Sequence, residues 1–559
     1  MTLHGTGSPR PLEPWGARSS AQALLLGILS LAVTGGLVFR EAHSGWNGLT
    51  SAGAVVLMAA AAGGLEAFLR FRTRSNSGLT TALARGGSSC ALATGALVGM
   101  IMAVMVYLFR DHVVDDSYIT YRYARNLVRG LGVVWNPGEA PVEGYSNFLW
   151  MIVHALGLRA GLEPLALSRV LGALSYAGCG FMVFRLARAL GAESRHAAIA
   201  TILFALVPSF PFWAMSGLET SSVVLFALLF FHGLAREWPE ARWPWRTALW
   251  AVLLVLSRPD GLLIVAVALV ALFWPPDRSR WQWLSRCMAL LAPPVVVYQV
   301  WRQLTFGTPT PNTLSAKLHS FAGDVLVTDF ISLVFPLLLL LALLARVRGL
   351  GAIERAIVAV TAAYVLAGLN IMSHVSHAQR FFLPVMGPLL ALSALLAREW
   401  SALGPSRSPW AGRVAMGMVI LYTVAPASRL AFQAQLEATS LRQAHLVVGQ
   451  ELKRTFASTD LLAASDCGLM PYVSDMRTLD IWGLTDRVIA TQGFSATHIM
   501  DAKPDAIVLH SLDQGLFRGR ESYDRELHPL IMADSAYRLV DRRPVAGYTL
   551  WVYSTRPLR

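Results

Sequence analysis

Long hydrophobic runs separated by short polar loops fill most of the chain. They lie near residues 22–40, 51–69, 91–109, 166–184, 196–213, 218–235, 246–257, 260–274, 287–304, 326–345, 353–371, 380–397 and 413–428. A membrane-spanning helix takes roughly 20 mainly apolar residues, so the pattern predicts about thirteen spans. The two runs flanking Arg258-Pro259 are short, and they read as one kinked helix or as two helices meeting at a turn. The stretch 147–163 is apolar but interrupted, as an interfacial or re-entrant segment would be. Beyond about residue 430 the periodicity changes. The runs DLLAAS, RTLDIW, DAIVLH and YTLWVY alternate or cluster as strands do, with turn residues and helix-length pieces between them.

This divides the chain into three parts. Residues 1–80 are an N-terminal transmembrane hairpin, 81–430 a transmembrane core with a large first outer loop over 110–165, and 431–559 a small α/β domain. The predicted fold class is thus a polytopic α-helical membrane protein with a C-terminal extracytoplasmic α/β domain. Composition agrees: of 559 residues, 55% are hydrophobic and 14% charged, against roughly 25% charged in soluble proteins. The net charge of +13 does not point to nucleic acid. Its arginines fall in every second loop, among them Arg185, Arg188, Arg236, Arg242, Arg278, Arg280 and Arg346, and mark those loops as cytoplasmic. The four cysteines form no CxxC pair and no disulfide framework. The N-terminus is too long and Pro-rich to be a cleaved signal peptide, so the first run reads as a retained span.

The candidate chemistry collects on the opposite side. In the first outer loop, Asp115 and Asp116 precede a helix beginning at Ser117. Either can cap it, and adjacent helical residues point about 100° apart, so the two carboxylates are not equivalent. Arg122, Arg125 and Arg129 follow near one face, then Glu143 and Tyr145. Glu219 stands at a helix entrance, Arg258 at the kink, and Asn312 with Lys317 in a Pro-rich loop. His374, His377 and Arg380 stand at the start of the span near 380–397. Capping, snorkelling and turn-forming ion pairs account for each residue taken alone. Together, however, they gather on the face that the positive-inside bias should deplete of cations. An acid with several cations suits group transfer from a lipid phosphate: the carboxylate takes a proton from an acceptor hydroxyl, and Arg122, Arg258, Lys317 and Arg380 stabilise the leaving phosphate. Glu143, Tyr145, Glu219, Asn312, His374 and His377 are candidate substrate contacts. His374 and His377 lack a third ligand, so no metal site is assigned.

The segments DDSYITYRYARNLVRGLGVVWNPGE, VEGYSNFLW, SGLET, SRPDG, GTPTPNTLSAK, QRFFLP and SDCGLMPYVSDMRTLDIWGLTD, in this order, resemble the GT-C superfamily of polytopic membrane glycosyltransferases and, within it, the AftB-like terminal arabinofuranosyltransferases. The resemblance implies a polyprenyl-phosphate sugar as donor and a cell-envelope glycan or lipid as acceptor. It also implies inversion in one displacement at the outer face of a bacterial cytoplasmic membrane, and a catalytic acid at Asp115 or Asp116. Some members use a divalent cation and others none. The hairpin before residue 80 and the His374–His377 segment depart from the family pattern. Two other classes stand beside this reading. A transporter or flippase of a lipid-linked sugar would show inverted repeats with broken helices, and none is visible. A non-catalytic scaffold would have dispensable acids.

Overall fold

The computed structural model describes residues 87–273, 278–319, 350–375, 377–402, 427 and 429–559. Outside these residues lie the 1–80 hairpin, the predicted spans near 22–40, 51–69 and 326–345, and nearly all of 413–428. The side chains of Lys317, His374 and His377 also lie outside the description. The chain divides into two compact units, 1–87 with 406–428, and 88–405 with 429–559. The site described below belongs wholly to the second.

The apolar runs form helices α1 (Gly87–Leu108), α2 (Ser117–Val128), α3 (Phe148–Arg159), α4 (Pro164–Ala189), α5 (Ser194–Leu206), α6 (Ser209–Met215), α7 (Thr220–Glu237), α8 (Trp245–Ser257), α9 (Gly261–Phe273), α10 (Arg278–Phe306), α11 (Asn312–His319), α12 (Ala352–Val375) and α13 (Leu383–Ala402). Among the described residues, three helices are long and apolar enough to cross a membrane: α4, α7 and the Arg280–Phe306 stretch of α10. The pair α5–α6, bent by 55°, would make a fourth. At the Arg258-Pro259 break, two helices meet rather than one bending, because Arg258 is fully extended (φ −159°, ψ 145°).

The C-terminal segment carries α14 (Leu446–Thr455), β1 (Leu461–Ala464), α15 (Leu469–Ser474), β2 (Arg477–Asp480), α16 (Arg487–Gln492), α17 (Ala496–Asp501), β3 (Ala506–Ser511), α18 (Ser522–Ala533), β4 (Arg538–Val545) and β5 (Tyr548–Ser554). The sheet order is β2-β1-β3-β5-β4. Strand β1 runs parallel to β2 and β3, and β5 is antiparallel to β3 and β4. Alternation puts Leu462, Val508, Leu550 and Val552 on one face against Val448 and Leu452 of α14. Ile507, Leu509 and Trp551 pack on the other face against Leu527 and Ile531 of α18.

Helix α2 lies between the membrane helices and this sheet and bonds to both, its first turns to the former and its last to the latter. Tyr121 donates to Gly217 O (3.0 Å), and its hydroxyl lies 2.6 Å from Ser168 Oγ. Gly217 has φ +90° and sits so close to Ser117 that a Cβ would lie 2.8 Å from its Cβ, so the contact requires glycine. One and two turns further along, Arg125 and Arg129 both pair with Asp475 at 2.7 and 2.9 Å.

Candidate functional site

The site is built on the carboxylate of Glu219, the residue before α7. Its Oε2 accepts from Asn147 Nδ2 at 2.8 Å. Its Oε1 accepts from Arg380 Nη2 at 3.2 Å and lies 3.8 Å from Arg258 Nη1. Arg380 also donates to Thr220 Oγ1 (3.3 Å) and lies 5.0 Å over the Trp213 ring. Arg258 donates from Nε to Asp260 (2.8 Å), whose other oxygen accepts from Tyr364 (2.9 Å). A residue 9% exposed, Arg258 keeps a buried Nη1 without a hydrogen-bond partner. Glu219, Arg258 and Arg380, which are far apart in sequence, are therefore within one ion-pair shell. Asn147, Trp213, Thr220 and Tyr364 were not singled out from sequence, whereas Asp260 was expected only as the turn-forming ion-pair partner of Arg258, which it is. Asn147 lies within the motif EGYSN, but its residue type also suits a turn, which hid it.

The acidic pair flanks this shell and divides it from the C-terminal sheet. Val114 N donates to Ser216 O (2.9 Å), tying the start of α2 to the loop that ends at Glu219. Asp116 has helical dihedrals (φ −53°, ψ −24°), caps nothing, and is exposed. One turn on, Thr120 donates to Asn147 Oδ1 (3.0 Å), which in turn bonds Glu219. Residues four apart share a helix face, so Asp116 belongs to the face turned toward Glu219.

Asp115 faces the other way. Its two oxygens accept from Gly468 N (2.7 Å) and Leu469 N (2.8 Å) at the start of α15. Gly468 is so tightly packed that a Cβ would lie 2.0 Å from Asp115 O. Burial raises the Asp115 carboxyl to about 6, opposed by His445.

Four sequence candidates have other employment. Arg122, expected at the donor phosphate, is buried. Its guanidinium donates to Trp135 O (3.1 Å), Pro471 O (3.0 Å), Met476 O (2.8 Å) and Asn136 Oδ1 (3.2 Å). It is thus a clamp between loop and sheet, because burial with so many acceptors uses up its donors. Burial lowers its pKa to about 10, so it remains charged near neutrality. Glu143 pairs with Arg302 (2.9 Å), and burial pushes its pKa up to about 7. Tyr145 is packed against Tyr123 and Phe306. Asn312 donates to Gly483 O (2.9 Å) and Leu484 O (3.0 Å), latching α11 to the C-terminal segment.

A second titratable cluster lies behind Asp115. The carboxylate oxygen Oδ2 of Asp466 receives His445 Nε2 at 2.7 Å, Tyr548 OH at 3.0 Å and His510 Nε2 at 3.2 Å. Burial alone would lower both imidazoles, but Asp466 outweighs it and raises them. Burial also opposes ionisation of Asp466, yet His510 and His445 hold it well below 3.8. Raised imidazoles contribute stability that is complete below 6.5 and is lost as pH rises through their folded values. The Asp466 contribution is present above 3.8 and fails only in strong acid. The raised Asp115 carboxyl acts in a lower window: it favours the fold less as pH rises from 3.8 to about 6, before the imidazole loss begins. Protection of the 465–469 amides against hydrogen exchange should therefore fall as pH rises above 6.5. His445→Gln with His510→Gln should flatten the profile; an unchanged slope in that double variant would remove the cluster as its cause.

Comparison with known proteins places the fold. Residues 433–553 match a sequence family described as "Domain of unknown function (DUF8728)". Two crystal structures of ArnT from Cupriavidus metallidurans match most of the chain. The form bound to undecaprenyl phosphate has a TM-score of 0.52 and 12% identity, over 82% of this chain and 97% of that one. The apo form has 0.51 and 14%, over 84% and 98%. The chain therefore has the GT-C fold of polytopic membrane glycosyltransferases. By sequence it is similar to the Terminal beta-(1->2)-arabinofuranosyltransferase of Mycobacterium tuberculosis, 30% identical over 233 residues. That match covers 38% of this chain and spans 36% of the relative's length.

Proposed function

We propose that the chain transfers a sugar from a polyprenyl-phosphate donor to a cell-envelope glycan or lipid acceptor at the outer face of the cytoplasmic membrane. Asp116 takes the proton of the acceptor hydroxyl, whose oxygen attacks the anomeric carbon. The bond from that carbon to the phosphate oxygen breaks, inverting the centre, and the negative charge on the departing phosphate is met by Arg258 and Arg380. One observation carries this reading: two arginines converge on Glu219 beside the Asp116 face of α2, and one of them holds a buried Nη1 with no hydrogen-bond partner. Such an N–H, already oriented and desolvated, stabilises an anion without reorganising, which is the source of most electrostatic rate enhancement. Lys317 belongs to the same proposal as a further cation. The ArnT structure bound to undecaprenyl phosphate supports a lipid-phosphate donor, and the arabinofuranosyltransferase likeness supports an arabinose donor.

The test is release of polyprenyl phosphate by the purified chain supplied with polyprenyl-phosphate sugars. Arg380→Met should lower kcat/KM by about 10²–10³-fold, the scale for losing one preorganised donor to a developing charge. Arg380→Lys should recover part of it, since an ammonium restores the charge but not the fork. Equal turnover in Arg380→Met would overturn the assignment. Movement of intact donor across a vesicle without release of polyprenyl phosphate would establish a transporter instead.

A further inference from the structure

The carboxyl end of the parallel strands is the end that meets the membrane helices. After β1, the amides of Gly468 and Leu469 hold Asp115, which follows α1. After β2, Asn312 bonds Gly483 O and Leu484 O, and Arg487 donates to the carbonyl of Phe306, the last residue of α10. At the β4–β5 turn, Ala546 N donates to Ser440 Oγ (3.0 Å), in the helical stretch 429–440 that follows the apolar run near 413–428. Strand β3 lies between β1 and β5, parallel to the first and antiparallel to the second, with its last residue Ser511 opposite Thr549. The turn after β3 therefore leaves the sheet between the Asp115 contact and the Ser440 contact, on the membrane side.

That turn, residues 512–518, carries Leu512 and Leu516, which are 61% and 65% exposed. A lone exposed leucine is ordinary, but here the backbone holds both outward. Leu512 N donates to Arg518 O (2.8 Å), and Asp513 Oδ1 accepts from Gly515 N (2.7 Å) and Leu516 N (3.0 Å). Trp551 Nε1 donates to Asp513 O (3.2 Å), and the Phe517 ring is turned inward, stacked on His528 at 3.9 Å. So braced, the turn keeps its leucines off the sheet, and apolar side chains fixed outward mark a contact surface. The surface on this side is the bilayer. Helix α10 is long and apolar enough to cross it, and its Val297, Val300 and Leu304 stand more than half exposed, as lipid-facing residues do. Val488, 40% exposed beside Arg487, extends the apolar surface from the end of α10 onto the C-terminal segment. The acids Asp513 and Glu521 equal Arg518 and Arg520 in number, so the attraction is to hydrocarbon rather than to anionic headgroups.

We infer that the turn bearing Leu512 and Leu516 inserts into the nearer leaflet and moors the C-terminal segment to the bilayer surface. The inference does not depend on the proposed reaction.

The experiment places the full chain in phosphatidylcholine nanodiscs, with a spin label on Leu516→Cys in one sample and on Met532→Cys in another. Met532 is 64% exposed near the end of α18, which runs from the turn toward the opposite end of the sheet, where β4 begins with Arg538 beside Ser554. The unmodified chain treated with the same label gives the background from its four cysteines. Relaxation by oxygen, which concentrates in the bilayer, and by a water-soluble nickel chelate then reports depth. The Leu516 label should lie about 5–10 Å below the headgroup boundary, the depth of interfacial apolar anchors, and the Met532 label in water. Leu512→Cys, at the other exposed leucine, gives the same reading independently. A Leu516 label as open to nickel as the Met532 label would overturn the inference. Shielding from oxygen and nickel alike would also overturn it, since that marks a protein contact in place of lipid.

Discussion

Asp116→Asn is expected to lower polyprenyl-phosphate release by about 10²–10⁴-fold, the contribution of a positioned general base, while leaving stability close to that of the parent chain. The side chain is exposed and caps no helix, so an isosteric amide removes the proton acceptor and little else. Asp115→Asn should behave in the opposite way. That carboxylate accepts from both Gly468 N and Leu469 N. A side-chain amide has only one oxygen, and its NH₂ would meet a backbone donor. The expected cost is about 1–3 kcal/mol of stability, with transfer reduced mainly through loosening of the loop. Thermal unfolding and initial rates measured on both variants separate the two roles. Full activity in Asp116→Asn together with a loss confined to kcat in Asp115→Asn would exchange them.

Arg122→Met should destabilise the protein by about 1–3 kcal/mol, the scale for buried acceptors that lose hydrogen bonds to a charged donor. The guanidinium reaches Trp135 and Asn136 in the outer loop and Pro471 and Met476 beside the sheet. Its removal takes a charged donor from three backbone carbonyls, each of which keeps one other donor (Asn126 Nδ2 on Trp135 O, Asp475 N on Pro471 O, Thr478 Oγ1 on Met476 O), and methionine fills the volume without replacing the lost bonds. Limited proteolysis should then open the C-terminal segment at lower denaturant than in the parent chain. A variant of unchanged stability that has lost donor affinity would return Arg122 to the phosphate role.

The contrast between Arg122 and Arg380 shows what a one-dimensional pattern can carry. Both are arginines in polar stretches beside apolar runs, and by residue type each suits a phosphate. Arg380 meets Glu219, 161 positions away, and Arg122 meets Pro471, 349 positions away. Neither contact leaves a local trace, because nothing in the neighbouring residues records what the chain brings up after several hundred more. The same holds for the His445, Asp466 and His510 cluster, whose members are ordinary polar residues until β1, β3 and α14 align them. Strand β4 was hidden for another reason. It is an edge strand with a bulge at Leu539/Asp541, and its RLVDRRPV sequence carries the charges by which edges avoid further pairing. A buried strand needs the opposite composition, which is why DAIVLH and YTLWVY were plain.

The order of apolar runs by itself determined that this is a helical membrane chain followed by a mixed α/β segment. The excess of arginine in alternate loops gives the expectation of which loops share a side, since both readings follow from transfer free energies that act residue by residue. Which carboxylate of the Asp115–Asp116 pair is held by amides and which is left exposed was decided only in three dimensions. The Asp115 carboxylate is taken up by the amides of Gly468 and Leu469, whereas the Asp116 side chain is left exposed at the start of α2, where Ser117 packs against Gly217.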